Sequence, residues 1–344
     1  MSVIGGVMFH AVGASFAALC YTPQKNVKQW SWQTYWLAQA FICWFFLPFL
    51  VAWITIPHLS EVLRNSPTDA MWKAFGLGMA YGVGGTAFGI AIRYIGFSLT
   101  YAISIGISCV VGTLLPPFVR GELVTVLQQD GAEWIVIGMI LGVMGIALCG
   151  LAGRYKETDL VKALNIDTTF SIKKGLPLCI LAGVLSALYG FSIDQGQPIA
   201  DVAVEYDAGN FQSNVIYIFS NTGAFITTLV YCIFLHNKEN TFSEFFAKST
   251  PLSKNYIFAI ITGMLWYSQF FFYGLGHVRM GDYKFSSWAV HMIMLVMFST
   301  IAGLALKEWT QARKKTIVIL VIALVVLVLA VLSLTIGNLL ADYY

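Results

Sequence analysis

The sequence predicts an all-α integral membrane protein with ten transmembrane helices in two inverted five-helix repeats, and three observations carry that prediction. Of 344 residues, 58% are hydrophobic and 11% charged, where a soluble domain carries roughly 25% charged residues. Ten separate apolar stretches are each long enough to cross a bilayer. The segments between them are polar connectors too short to fold alone. The solvent for most of the chain is therefore lipid, and its polar residues have to be explained against that background.

The apolar stretches cover 3–21, 34–56, 70–91, 97–116, 134–152, 175–193, 211–235, 256–276, 285–306 and 316–339. Each is roughly 19–25 residues, which at about 1.5 Å per residue matches a hydrocarbon core of about 30 Å. Helices are expected because backbone groups in lipid must pair within their own segment. The alternating segments of about ten residues that mark a membrane barrel do not occur. No Lys or Arg precedes the apolar run that begins at Val3, so the first stretch is expected as a span and not as a cleaved leader. Glycine runs in the third stretch (Gly76, Gly78, Gly82, Gly84, Gly85) and the fifth (Gly138, Gly142) read as close-packing helix surfaces. The tenth stretch is generic. All six cysteines fall inside apolar segments without the spacing of a zinc site. They are expected as small buried hydrophobes with no metal or disulfide role.

Lys and Arg set the orientation. Fifteen of the twenty lie in the odd-numbered loops, among them Lys162 and Lys248; the opposite side has Arg64, Lys73, Arg120, Arg279 and Lys284. Positive charge concentrates on the cytoplasmic side, so the odd loops are expected inside and both termini outside.

The two halves also correspond. A shift of 186 residues lays Tyr81 on Tyr267, Arg93 on Arg279 and Glu122 on Glu308 without a gap. Each Arg sits in the tight turn between paired helices, and each Glu closes the following helix. With an odd number of spans per half, the copies must lie inverted in the membrane. The expected organisation is a first repeat over 1–152, a cytoplasmic connector over 153–174 and a second repeat over 175–344. Inverted repeats are a recurring plan of secondary transporters, with the substrate held near the midplane.

Polar side chains inside the spans fall on shared helical faces. The first span carries Gly6, His10, Gly13, Ala17 and Tyr21; the sixth carries Gly183, Ser186, Gly190 and Asp194. The eighth presents Trp266, Gln269, Tyr273 and His277, and the ninth Lys284, Ser287, Trp288 and His291. In the seventh, Asn214, Tyr217 and Asn221 align, as do Tyr101, Ser104 and Ser108 in the fourth. Hydroxyl, amide and indole groups in one wet cavity suit a neutral polyhydroxylated ligand, because aromatic faces stack on a sugar ring while the polar groups bond its hydroxyls. Single Ser and Thr residues read more simply as glue between helices. His10, His291 and Asp194 are the candidate proton carriers, since histidine titrates near neutrality. No HExxH, GxSxG, phosphate-binding glycine loop or basic nucleic-acid-binding block is present, so the chain is expected neither as an enzyme nor as a partner of nucleic acid.

The run from Gly263 through Trp266, Tyr267, Ser268, Gln269, Phe270, Phe271 and Phe272 to Tyr273 resembles the L-rhamnose–proton symporters. So do Gly276-His277, Ser287-Trp288 with His291-Met292, Lys307-Glu308-Trp309, and near the start His10, Tyr21, Pro23, Lys25 and the run Lys28 to Trp32. The chain departs from the enterobacterial members around 194–197 and in the turn 280–284. The resemblance covers His10 to Trp309 and places the chain in the drug/metabolite transporter superfamily, whose members carry ten spans in two inverted halves. It implies a proton-coupled carrier of the bacterial cytoplasmic (inner) membrane, with periplasmic termini, that imports a deoxy sugar, L-rhamnose, by alternating access. The alternative is an exporter of drugs or metabolites on the same scaffold. Trp266, Gln269, Tyr273 and Trp288, with Tyr21 and Asn221, are expected to contact the sugar. His10, His291 and Asp194 are expected to couple the proton. The partners implied are the sugar, the proton and the lipid bilayer, with no cofactor beyond the coupling ion; the sequence sets no oligomeric state.

Overall fold

The computed structural model describes residues 2–164, 171–247 and 249–343. Of the basic residues counted above, Lys248 and the side chain of Lys162 lie outside the described residues, as does 165–170 of the expected connector. The described chain is 86% helical without a strand, and ten of its helices are long and apolar enough to span a membrane. We label them α1 (Val3–Leu19), α2 (Trp32–Thr55), α3 (Thr68–Ile95), α4 (Phe97–Val119) and α5 (Ala132–Leu164), then α6 (Ile172–Gln195), α7 (Asn214–Glu239), α8 (Leu252–His277), α9 (Ser287–Ala305) and α10 (Lys314–Tyr343). Together they make a multi-pass membrane protein. Helix α5 continues past residue 152 to Leu164, where a connector is expected, because 154–164 contains neither glycine nor proline to end it.

The helices group into two compact units. One is built from Met1–Ala18, Gly84–Phe191 and Gly276–Tyr344; the other from Leu19–Val83 and Ser192–Leu275. Each unit therefore takes chain from both sides of the 153–174 segment.

In the first unit α5 and α10 pack along their length. Leu320, Ala323, Leu327, Ala330 and Leu334 are fully buried at alternating spacings of three and four, the seam of a knobs-into-holes pair. Gly138 and Gly145 of α5, seven residues apart, receive Leu334 and Leu327: a Cβ on either glycine would stand 2.7 and 2.6 Å from those side chains. Only hydrogen on those α-carbons lets the helices approach so closely. Polar groups toward the C-terminal end of α10 find partners, with Ser333 Oγ donating to the Trp134 carbonyl at 2.7 Å and Asn338 Nδ2 to Ser286 Oγ at 2.9 Å. On the other face of α10, Val318, Val321, Val325, Val328 and Leu332 are exposed, as a lipid-facing surface requires. Between α3 and α4 the chain reverses at Gly96, whose φ of +82° favours glycine. The Ser98 backbone N–H then donates to Glu157 Oε1 at 2.9 Å, which caps the first turn of α4 from α5.

In the second unit α3 and α7 cross backbone to backbone. A Cβ on Gly78 would collide with the Ser220 carbonyl, one on Gly82 with Thr227 and the Ala224 carbonyl, and one on Gly223 with the Phe75 carbonyl. The start of α2 is held by the short turn Phe242–Phe245. Glu244 Oε2 accepts from the Ser31 backbone N–H at 2.7 Å, from Ser31 Oγ at 2.8 Å and from Thr34 Oγ1 at 2.6 Å. A carboxylate on those N-terminal donors is also favoured by the helix dipole.

Helix α2 is not uniform. Its middle, Phe41–Phe46, is π-helical, with the Leu47 N–H donating to the Ile42 carbonyl five residues back. Pro48 follows directly; it has no N–H to donate and its ring crowds the preceding turn, so a locally wider turn accommodates it.

Gly78→Ala should lower the stability of the detergent-purified protein by about 1–3 kcal/mol, as overpacking does. Gly76→Ala, on the same helix but with open space around the added carbon, should leave it unchanged or raise it slightly. Thermal unfolding of the two variants side by side checks the pair.

Candidate functional site

Two clusters gather the polar and aromatic residues of the spans, one in each unit. In the first unit the His10 and His291 rings meet edge to face, with centroids 5.8 Å apart and planes at 68°. Both are buried. Glycine also lets α8 come close to His10: a Cβ on Gly276, in the last turn of α8, would stand 2.9 Å from both the Gly6 carbonyl oxygen and His10 Nε2. The stripe read on α1 is the packed face, since Gly6, His10, Gly13 and Ala17 are all buried. Next to His10 in the chain, Phe9 carries the Arg279 guanidinium over its ring at 4.7 Å.

Trp288 lies one turn before His291 on α9, a helix whose residues 287–296 are all buried. Its indole N–H donates to the Ser108 carbonyl at 2.9 Å. A Cβ on Gly112 would stand 2.5 Å from the indole nitrogen, and one on Gly190 2.9 Å from the ring. The indole is thus seated between glycines of α4 and α6, and Tyr189 is tilted against it at 6.3 Å.

In the second unit an aromatic cluster centres on Trp266 of α8. Its ring meets Tyr21 at 5.3 Å, Trp36 at 5.5 Å and Trp44 at 5.4 Å, each near a T-shaped arrangement. Trp44 in turn meets Tyr81 at 6.0 Å, and Trp32 stacks on Trp36 at 5.0 Å. Edge-to-face pairs like these contribute about 0.5–1.5 kcal/mol each beyond the area they bury. The cluster is pinned by a relay of hydroxyls: Tyr35 Oη donates to Thr262 Oγ1 at 2.5 Å, and Thr262 Oγ1 to the Cys20 carbonyl at 3.0 Å. Gln269 and Tyr273, on the following turns of α8, are buried as well.

The remaining expected residues also belong to this unit. Asp194, in the last turn of α6, is half-buried, accepts from Gln195 Nε2 at 3.3 Å and interacts electrostatically with the Tyr273 phenol. Asn221 is fully buried on α7, one turn beyond Tyr217, which tilts against Phe270 at 6.0 Å. Beside it Ser220 and Ser192 share a hydrogen bond of 2.5 Å. Tyr21 and Trp266 are therefore together, as are Asp194 and Tyr273, and His10 and His291. All six cysteines are buried free thiols.

Sequence reasoning missed Trp36, Gln39 and Trp44. At 3.6 residues per turn, positions 36 and 44 lie about 80° apart around a helix, so α2 shows no obvious face. The wider turn at 41–46 shifts the register and brings the two indoles to 6.3 Å. The surrounding run of phenylalanines, most of them exposed, reads as lipid-facing. The usable signal was Pro48, which marks where the helical period breaks.

A profile of the L-rhamnose-proton symport protein family matches residues 1–339. The chain is 32% identical over 335 residues to an L-rhamnose-proton symporter of Yersinia pestis (strain Pestoides F), covering 96% of each chain. A relative with the same description in Yersinia pseudotuberculosis (serotype O:3, strain YPIII) gives the same values. The symporter of Pectobacterium atrosepticum is 32% identical over 334 residues, covering 95% of this chain and 96% of its own.

The hydroxyl relay that anchors the aromatic cluster should behave as one coupled unit. Tyr35→Phe and Thr262→Val should each destabilise the protein by about 1 kcal/mol. In a double-mutant cycle read by thermal unfolding, the pair should cost clearly less than the sum of the two.

Proposed function

The chain belongs to the L-rhamnose-proton symport protein family, which is a family of transporters and not of enzymes, and from that premise we propose that it imports L-rhamnose together with a proton by alternating access. The observation that carries this reading is the buried pair of imidazoles, His10 and His291, 5.8 Å apart. L-Rhamnose has no charge, so a membrane potential cannot drive it inward unless a cation, here a proton, travels with it. Two imidazoles at this separation in a low-dielectric interior hold one positive charge far more readily than two. The pair is therefore a one-proton carrier, and Asp194, half-buried in the last turn of α6, is a second coupling group.

The sugar side of the reading rests on the second unit. L-Rhamnose has an apolar C–H face and a C6 methyl group opposite its hydroxyls. Trp266 and Tyr21 offer aromatic surface, while Gln269, Tyr273 and Asn221 offer amide and phenol groups, the mixture a small neutral ligand needs. In the first unit, Trp288 would offer a sugar aromatic surface and no donor, because its N–H is given to Ser108. Symport follows if protonation and sugar favour the same conformational state, each raising the affinity for the other.

The membrane is the bacterial inner membrane, with the odd-numbered loops cytoplasmic and both termini periplasmic, as the distribution of Lys and Arg supports. The correspondence of Tyr81 with Tyr267, Arg93 with Arg279 and Glu122 with Glu308 supports two inverted repeats, 1–152 and 175–344, joined by 153–174. Rocking of such repeats about a fixed site is the motion that alternating access calls for.

Proteoliposomes holding the purified chain should accumulate labelled L-rhamnose above the external concentration when an inward proton gradient is imposed, and collapse of the gradient should release it. An exporter would show no gradient-driven uptake. His291→Ala should abolish accumulation while leaving sugar exchange across the membrane measurable. Full accumulation by that variant removes His291 from the coupling step.

A further inference from the structure

Gln39 has an unusual position. It lies on α2 between Trp36 and Trp44, the two indoles that flank Trp266, and none of its surface is exposed. Its backbone carbonyl would stand 2.9 Å from a Cβ on Gly263 of α8, so the two helices touch at this level. One turn earlier Tyr35 is bonded to Thr262, one turn before Trp266. Neither Oε1 nor Nε2 of Gln39 has a hydrogen-bond partner among the described residues. Further groups of the neighbourhood share that condition, among them the Trp44 indole N–H and the Tyr267 hydroxyl.

A glutamine that glues helices would look different, and the same unit supplies the comparison. Gln33, two turns earlier on α2, donates from Nε2 to Glu239 at 2.8 Å and to Thr241 at 2.9 Å. Gln39 makes no such bond, in a span where lipid offers none either. An amide buried without a partner is costly, and a ligand that satisfies the group offsets that cost. The chemistry left open is specific. A primary amide presents one acceptor and two donors side by side, which matches a vicinal diol: the carbonyl accepts from one hydroxyl while the NH2 donates to the next oxygen.

We propose that Gln39 is the residue that reads a vicinal pair of sugar hydroxyls, with the indoles of Trp36, Trp44 and Trp266 around the C–H face of the ring and the Trp44 N–H and Tyr267 hydroxyl as additional polar contacts. This rests on the sugar reading above and adds the specificity determinant to it. A site whose buried amide bonds the diol rejects an analogue lacking one of those hydroxyls, because the amide is then left unpaired. Gln39 is therefore what separates L-rhamnose from its singly deoxygenated relatives.

The test compares wild type, Gln39→Leu and Gln39→Met as full-length protein, by counterflow in proteoliposomes and by thermal unfolding in detergent. L-Rhamnose is set against 2-deoxy- and 3-deoxy-L-rhamnose. Wild type should prefer L-rhamnose over at least one analogue by about tenfold, the size of one hydrogen bond left unmade in a buried site. Both variants should bring that ratio near one while still exchanging sugar. Without sugar, the variants should melt at or above the wild-type temperature, since an unpaired amide has been replaced by an apolar side chain of similar length. An unchanged analogue ratio in both variants overturns the assignment. Sugar-free melting clearly below wild type in both also overturns it, because the amide would then hold an internal structural bond. A wild type that exchanges none of these sugars defeats the sugar reading itself, and this inference with it.

Discussion

Hydrocarbon offers no hydrogen-bond partner, and the rest of this structure follows from that constraint. Each span must bond its own backbone, which makes all ten helical. Apolar area cannot drive those helices together, because lipid tails are as apolar as leucine. Contact has to come from close packing and from polar groups that meet. The glycines of α3, α5 and α8 provide the first, letting backbone approach backbone at Gly78, Gly138 and Gly276. Groups such as Ser333, Asn338, Tyr35 and Thr262 provide the second. Many buried polar side chains are spent in this way on holding helices.

Against that background the polar groups that are not so spent acquire meaning. Gln33 and Gln39 lie on one helix six residues apart and have opposite fates: one is bonded to Glu239 and Thr241, the other to nothing among the described residues. Trp288 and Trp44 are both buried indoles, but the first gives its N–H to a carbonyl of α4 and the second keeps it unbonded. Bonded groups tie the helices into a frame, and the open ones take no part in it.

The conspicuous residues on α1, α8 and α9 were legible in the sequence because those helices keep a regular period. Gly6, His10, Gly13 and Ala17 repeat at three and four, and all prove buried. Trp266, Gln269 and Tyr273 do the same on α8. Helix α2 was opaque for a local reason: Pro48 forces a π-turn, and a face read at 3.6 residues per turn is wrong beyond that point. The seam of α10 was present all along at 320, 323, 327, 330 and 334, but in a uniformly apolar helix no contrast in polarity marks which side is packed.

By itself the sequence determined that this chain lives in a membrane, how many times it can cross, and which residues are too polar to face lipid. These properties depend on composition and on repeats of three and four residues, which are local. Only the tertiary structure decided which polar groups find partners. It paired His10 with His291, seated Trp288 between two glycines, and left Gln39 unbonded among three indoles. A hydrogen bond between helices depends on distances across hundreds of residues of chain, and no local pattern encodes whether the facing atom is there.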